Sequence, residues 1–207
     1  MTKKGVLLVV SGPSGAGKGT VIRDAMERDK SFYYSVSATT RAPRAGEIDR
    51  VNYHFVTRER FEEFIRDGAV VEHTEYSQNY YGTLRSETEG KCDDGFNVIL
   101  EIEVDGASQI KKKFPEAVSV MILPPDFKTL EKRLRSRGTN TEEDIKRRLD
   151  RAREEMKFYG DYDYLIVNYD NEVRAAADEL ISIVKCEHMR TLRNPDFPAE
   201  FFNLNNN

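Results

Sequence analysis

The run Gly12-Pro13-Ser14-Gly15-Ala16-Gly17-Lys18 has the spacing G-x-x-x-x-G-K, and its residue types suit the holding of a polyphosphate. Glycines let successive backbone N–H groups turn inward on anionic oxygens, and a helix opening at Lys18 adds the partial positive charge of its N-terminus. The Lys18 ammonium can then reach terminal phosphate oxygens as a mobile point charge. The bland alternative is a plain glycine-rich turn; the lysine in its required place and the apolar run before the loop weigh against it. Gly19 stands where a Ser or Thr hydroxyl commonly meets magnesium, and Thr20 follows one residue later. Glu101 and Glu103 form a second group, two apart and so on one face of a strand. A third is the set of arginines between Arg133 and Arg153.

The elements that must position these groups alternate between strand and helix. Residues 6–10 (VLLVV) are continuously apolar, as suits a strand buried on both faces of a parallel sheet, and residues 96–100, 117–123 and 164–167 read the same way. Helical patterns cover residues 18–28, 104–113, 127–137, 142–158 and 172 to about 188. Such alternation predicts an α/β fold of right-handed βαβ units, with ligands at the C-terminal ends of the strands, where Glu101 and Glu103 lie. Two stretches interrupt it. Residues 35–95 carry short strand signals at 35–39, 53–56 and 70–76 around a helix at 59–66 that Gly68 would stop, a small mixed lobe inserted in the core. Residues 137–144 stop one helix at Gly138 and start another with Thr141 and Asp144 at capping-box spacing, a helix–turn–helix flap able to act as a lid. The expected organisation is a core of residues 1–34 and 96–190 with a lid at about 137–148, a lobe of 35–95, and a loose C-terminal tail of 191–207 whose Phe197, Phe201 and Phe202 dock on the body.

Thr39-Thr40-Arg41-Ala42-Pro43-Arg44-Ala45-Gly46-Glu47, running on to Tyr53-His54-Phe55, resembles the signature of the guanylate kinase family. Glu72, Asn79-Tyr80-Tyr81-Gly82, Leu100-Glu101-Ile102-Glu103 and Arg137-Gly138-Thr139 extend that resemblance, with the phosphate loop, over about residues 5–185. It implies a P-loop NTPase-type parallel sheet covered by helices, an inserted α+β GMP-binding lobe, a helical lid, and transfer of the γ-phosphate of ATP to GMP. It also implies roles. Arg41 and Arg44, with Tyr53 and Tyr81, would clamp the acceptor phosphate, since two guanidinium forks fix a dianion in direction, and Glu47 would belong to the same GMP-binding group. Guanine offers N1–H and an exocyclic amine as donors and O6 as an acceptor, and the resemblance places Glu72, Ser37 and Thr83 at that edge. Glu101 and Glu103 would hold the acceptor nucleotide and hydrated magnesium; the family more often has aspartate at the second position. Arg137 and Arg148 correspond to lid arginines, Arg133 to a position near the nucleotide, and Asn168 to an adenine-side residue. Arg135, Arg147, Arg151 and Arg153 have acidic neighbours and read as solvated pairs. Arg50 stands where the family favours Gly or Ala.

Gly-Lys-Gly-Thr resembles nucleoside monophosphate kinases, in which Mg²⁺ is held by phosphate oxygens and water; Thr20 is the one side chain that could add a contact. The chain has 207 residues, 39% hydrophobic and 33% charged, with a net charge of −4, an ordinary globular balance that disfavours a nucleic-acid partner. No apolar run reaches the roughly 18 residues of a membrane span, and Cys92 and Cys186 lack metal or disulfide spacing, so a cytoplasmic setting is expected. A homodimer is one use for the apolar tail. Two rivals remain. A kinase of another monophosphate would tolerate Glu72→Gln; a non-catalytic scaffold module would lack Lys18.

Overall fold

The computed structural model describes residues 4–76, 78–136, 138 and 141–203. In chain order its elements are β1 (Leu7–Ser11), α1 (Lys18–Arg28), β2 (Phe32–Tyr34), β3 (Ala38–Thr39), β4 (His54–Phe55), α2 (Arg58–Arg66), β5 (Val70–Tyr76), β6 (Asn79–Leu84), α3 (Glu89–Asp93), β7 (Asn97–Glu101), α4 (Val104–Lys113), β8 (Val118–Leu123), α5 (Phe127–Ser136), α6 (Glu142–Glu155), β9 (Tyr164–Val167), α7 (Val173–Met189) and α8 (Phe197–Asn203). Short 3-10 turns at Arg85–Glu87, Met156–Asp161 and Thr191–Arg193 complete the list.

The main sheet has the order β2-β7-β1-β8-β9, and every pairing in it is parallel. All five residues of β1 are buried, because helices cover both faces. The alternation is visible in the two cores. Leu8 and Val10 join Val21 and Ile22 of α1 and Leu180 and Val184 of α7, whereas Leu7 and Val9 join Ala107 and Ile110 of α4 on the other face. The chain winds one way from β1 to β2 and β7 and the other way to β8 and β9. The end of β1, where the glycine loop begins, is therefore the switch point of the sheet.

A second sheet, β4-β3-β6-β5, pairs β3 with β4 in parallel and β6 with β3 and β5 antiparallel. Phe61 of α2 is fully buried against Ala38 and Val70 and stacks on Tyr80 with ring centroids 5.2 Å apart. Thr57 caps α2 by accepting the Arg60 N–H, and Gly68 ends it at φ 65°. Helices α5 and α6 meet in a small core of Leu130, Leu134, Ile145, Leu149 and Ala152, and Thr141 caps α6 by accepting the Asp144 N–H.

Several elements differ from expectation. Strands β2 and β6 and helix α3 were not anticipated: β2 has only three residues, too few to show a period. The helix expected to run to 158 ends at Glu155 and tightens into the 3-10 stretch. The tail forms α8 instead of a loose segment, and its phenylalanines are largely exposed. Phe197, Phe201 and Phe202 contact one another and remain 60%, 54% and 67% exposed. The tail is pinned before α8, where Arg193 reaches Glu187 and the Glu116 carbonyl. Among the described residues no helix is long and apolar enough to cross a membrane.

Candidate active site

The loop from Gly12 to Gly17 is built from backbone. Gly12 has φ 142°, and a Cβ there would lie 2.1 Å from the carbonyl oxygen of Ile122; Gly17 has φ 90°, and a Cβ would lie 2.3 Å from Asn168 Nδ2. No other residue fits either position. Pro13 closes the turn by accepting the Ala16 N–H at 3.1 Å. Lys18 Nζ folds back to donate to the Gly12 carbonyl at 2.6 Å and lies 3.9 Å from Glu101 Oε1. Asn168 is buried below the loop, where Nδ2 donates to the Ala16 carbonyl at 2.8 Å. Its Nδ2 is thus held by the loop, while its Oδ1 is buried with no hydrogen-bond partner among the described residues. Arg133 also reaches the Ala16 and Asn168 carbonyls, at 3.2 and 2.8 Å. From α6, Arg148 donates to Ser14 Oγ at 2.6 Å. Thr20 is exposed, and Gly19 lies beside Glu101: a Cβ there would come 3.8 Å from its Oε2, an ordinary contact. Arg137 lies outside the described residues.

At the end of β7, Glu101 accepts a hydrogen bond from the Tyr34 hydroxyl at 3.3 Å. The strand ends at Glu101, so Glu103 is not on the strand face expected for it: it lies at the start of α4 and pairs with Arg151, which donates through its Nε to Glu155 Oε1 at 3.2 Å. Arg151 is thus more than the solvated partner of Glu155 that its spacing suggests. Glu155 Oε2 is buried with no hydrogen-bond partner among the described residues, and burial raises the Glu155 pKa against the pull of Arg151 and Lys18. The i,i+4 spacing of Arg151 and Glu155 was readable in the sequence; their meeting with Glu103 across the fold was not.

The acceptor lobe brings together a second constellation. Arg41 Nη2 donates to Glu47 Oε1 at 2.9 Å, and its guanidinium lies 5.5 Å from the Tyr53 ring centre and 5.8 Å from that of Phe55. Glu47 Oε2 accepts the Arg44 N–H at 2.7 Å, and these bonds, that of Arg41 foremost, hold its carboxyl below the usual range. The Arg44 side chain is exposed. The Tyr53 and Tyr81 rings meet edge-on at 6.1 Å. Glu72 is 4% exposed, and the Thr83 hydroxyl donates to its Oε1 at 2.6 Å. Burial raises the Glu72 pKa, opposed by Thr83 and Lys113. Gly106 of α4 makes room: a Cβ there would come 3.1 Å from Glu72 Oε2. Ser37, half-buried, accepts the His54 N–H on its carbonyl at 2.9 Å.

A phosphate loop alone would serve many nucleotide hydrolases. Here Glu101, at the end of β7, lies 3.9 Å from Lys18, and the chain also carries an inserted lobe in which Arg41 is held by Glu47 beside the Tyr53 and Phe55 rings. A phosphate loop at the switch point of a parallel sheet, joined to such an arginine-bearing lobe, fits a phosphotransferase of the nucleoside monophosphate kinase class. The family model "Guanylate kinase" matches residues 4–187. Guanylate kinase of Streptococcus thermophilus is 50% identical over 93% of this chain and 92% of its own length, and that of Streptococcus pneumoniae is 49% identical over 91% and 90%. The crystal structure of guanylate kinase from Anaplasma phagocytophilum superimposes with a TM-score of 0.73 at 33% identity, covering 93% of this chain and 90% of that one. The chain belongs to the guanylate kinase family. It is an enzyme that transfers the γ-phosphate of ATP to GMP.

Proposed function

We propose that ATP and GMP lie end to end between two anion sites, the phosphate loop and the arginine-bearing lobe, with each site residue acting as follows. The loop amides of residues 12–20 and the Lys18 ammonium hold the ATP phosphates, with Asn168 and Arg133 keeping the loop in shape from below. Arg148, already at Ser14, moves onto the phosphates, joined by Arg137. Arg41, Arg44, Tyr53 and Tyr81 hold the GMP phosphate, and Glu47 keeps Arg41 and its loop in place. Glu72 accepts the guanine N1–H and amine, with Thr83 and Ser37 toward the remaining edge. Glu101 and Glu103 lie on the GMP side, next to the transferring phosphate.

The acceptor phosphate has a second pKa near 6 and is mostly dianionic at neutral pH, so the chain needs no general base. Positioning and charge neutralisation carry the rate. Glu101 and Glu103 are a pair and not a cage, and among the described residues no cluster of three metal-ligating side chains occurs. That donor set fits Mg²⁺ that keeps its waters and arrives with ATP, with Thr20 as the nearest hydroxyl on the loop. The ion, when bound, neutralises charge on the phosphates. GMP recycling in the cytoplasm, without nucleic acid or membrane, is the setting that suits these substrates.

The observation that carries this reading is Glu72, a carboxylate kept 4% exposed with one hydroxyl partner. Burying a charge this way is costly unless a ligand supplies donors, and guanine supplies two where adenine supplies none at the same places. The test is ADP release with GMP, AMP, UMP and dTMP as acceptors, for the parent chain and Glu72→Gln. GMP should be strongly preferred by the parent, and the variant should lose about a hundredfold or more in kcat/KM for GMP. A parent that prefers AMP, or a variant that keeps GMP selectivity, overturns the reading. The pH dependence adds a second readout. With its pKa raised in the fold, Glu72 protonates at a higher pH than an ordinary glutamate, so GMP affinity falls early as pH drops. Stability moves the other way: this group's contribution is full below the ordinary glutamate pKa and is lost as pH rises through the raised one. Glu72→Gln should abolish both trends.

A further inference from the structure

Outside the residues discussed so far for the reaction, Tyr34 has the geometry to act on it. It sits on β2, the short edge strand, paired in register with Ile99 of β7. Glu101 is two residues beyond Ile99 and so points to the same face. The Tyr34 ring packs against the main hydrophobic core, which fixes where its hydroxyl can go. The neighbouring Tyr33 points the other way, to Glu87 at 2.7 Å. Around Glu101 two groups therefore compete: the Tyr34 hydroxyl, 3.3 Å from Oε2, and the Lys18 ammonium, 3.9 Å from Oε1. The first distance is a long hydrogen bond; the second is an ion pair with a gap too wide for one.

We infer that Tyr34 is a positioning residue that acts through Glu101: its hydroxyl holds the carboxylate back from direct contact with Lys18, so that the lysine can exchange its loop carbonyl for an incoming phosphate. This deepens the roles given above to Lys18 and Glu101 and rests on them. Without the hydroxyl, the carboxylate closes onto the ammonium as a direct charge-assisted pair, and ATP must break that pair to bind. Burial and the nearby Glu101 both raise the Tyr34 pKa, so the phenol remains a donor at any working pH.

Tyr34→Phe removes one oxygen and leaves the packing ring in place. Because the new pair must be broken on binding, KM for ATP should rise about tenfold while kcat stays within about twofold and KM for GMP is unchanged. MgADP affinity by titration calorimetry should fall by a similar factor, a readout independent of turnover. In a Glu101→Gln background, which removes the charge that would capture Lys18, adding Tyr34→Phe should change ADP affinity no further. An unchanged KM for ATP, or the same tenfold loss of ADP affinity in the Glu101→Gln background, overturns the inference. A fall in melting temperature with none of these kinetic shifts would do so too, by showing a purely structural role. Lys18→Met tests the underlying reading separately: if it keeps parental ADP affinity and turnover, the role of Lys18 itself is wrong, whatever Tyr34 does.

Discussion

The two anion sites proposed for this enzyme, one for ATP and one for GMP, are made from different materials. The ATP-side site is main chain: glycines at 12, 15 and 17 in positive-φ conformations, supported from below by Asn168 and Arg133. The GMP-side site is side chain: guanidinium, carboxylate and aromatic rings on an exposed loop between β3 and β4. A main-chain site is specified by what cannot fit there, a side-chain site by which groups are present. The first should therefore fail abruptly under small steric changes, and the second should degrade in steps with the chemistry of each substitution.

Gly12→Ala gives the largest expected effect. A Cβ 2.1 Å from a backbone carbonyl cannot be accommodated by a side-chain shift, and the φ is also hostile to alanine. ATP turnover should fall by about a hundredfold or more, with a lowered melting temperature, by coupled assay and calorimetry. If alanine there is tolerated, the main-chain site is more plastic than this comparison allows. Arg41→Lys comes next and keeps the charge while losing the planar fork. KM for GMP should rise about tenfold with KM for ATP unchanged, because only two-point recognition of the phosphate is lost. A matching rise in KM for ATP would mean the two sites are not separable. The smallest effect is expected at Arg50, whose φ of 61° is left-handed and whose side chain is 81% exposed. Arg50→Gly should stabilise the fold by less than about 1 kcal/mol, backbone strain relieved minus unfolded-state entropy gained, with kinetics unchanged. Denaturant titration decides it.

The same contrast governs what the sequence disclosed. The ATP-side site is local: a strand, a loop and a helix follow one another, and α1, α4 and β9 begin and end where the apolar patterns say. Arg50 was legible as a departure, and its positive φ now gives the physical reason glycine suits that place. Contacts between distant segments left no such mark. Tyr34 with Glu101, Arg151 with Glu103, and Arg133 below the loop join residues 48 to 117 positions apart, and no periodicity encodes them. Asn168 could be placed near the ATP side from its strand, but that its amide turns inward depends on the tight approach of Gly17. Helix α8 was missed because Asn194-Pro195 and Phe197-Pro198 read as breakers, whereas a proline in a first helical turn forfeits no hydrogen bond.

Glu47 gives the proposed acceptor clamp a resident anion. Its carboxylate satisfies the Arg41 guanidinium and the Arg44 amide before any ligand arrives. An entering group must therefore outcompete an oxyanion already in position. Chloride, acetate and other weakly held singly charged solutes gain little from that exchange. In the proposed complex a phosphate monoester would bring a second charge and, tethered to it, a purine to meet Glu72, so a clamp of this kind would disfavour the common small ions of solution without a steric gate.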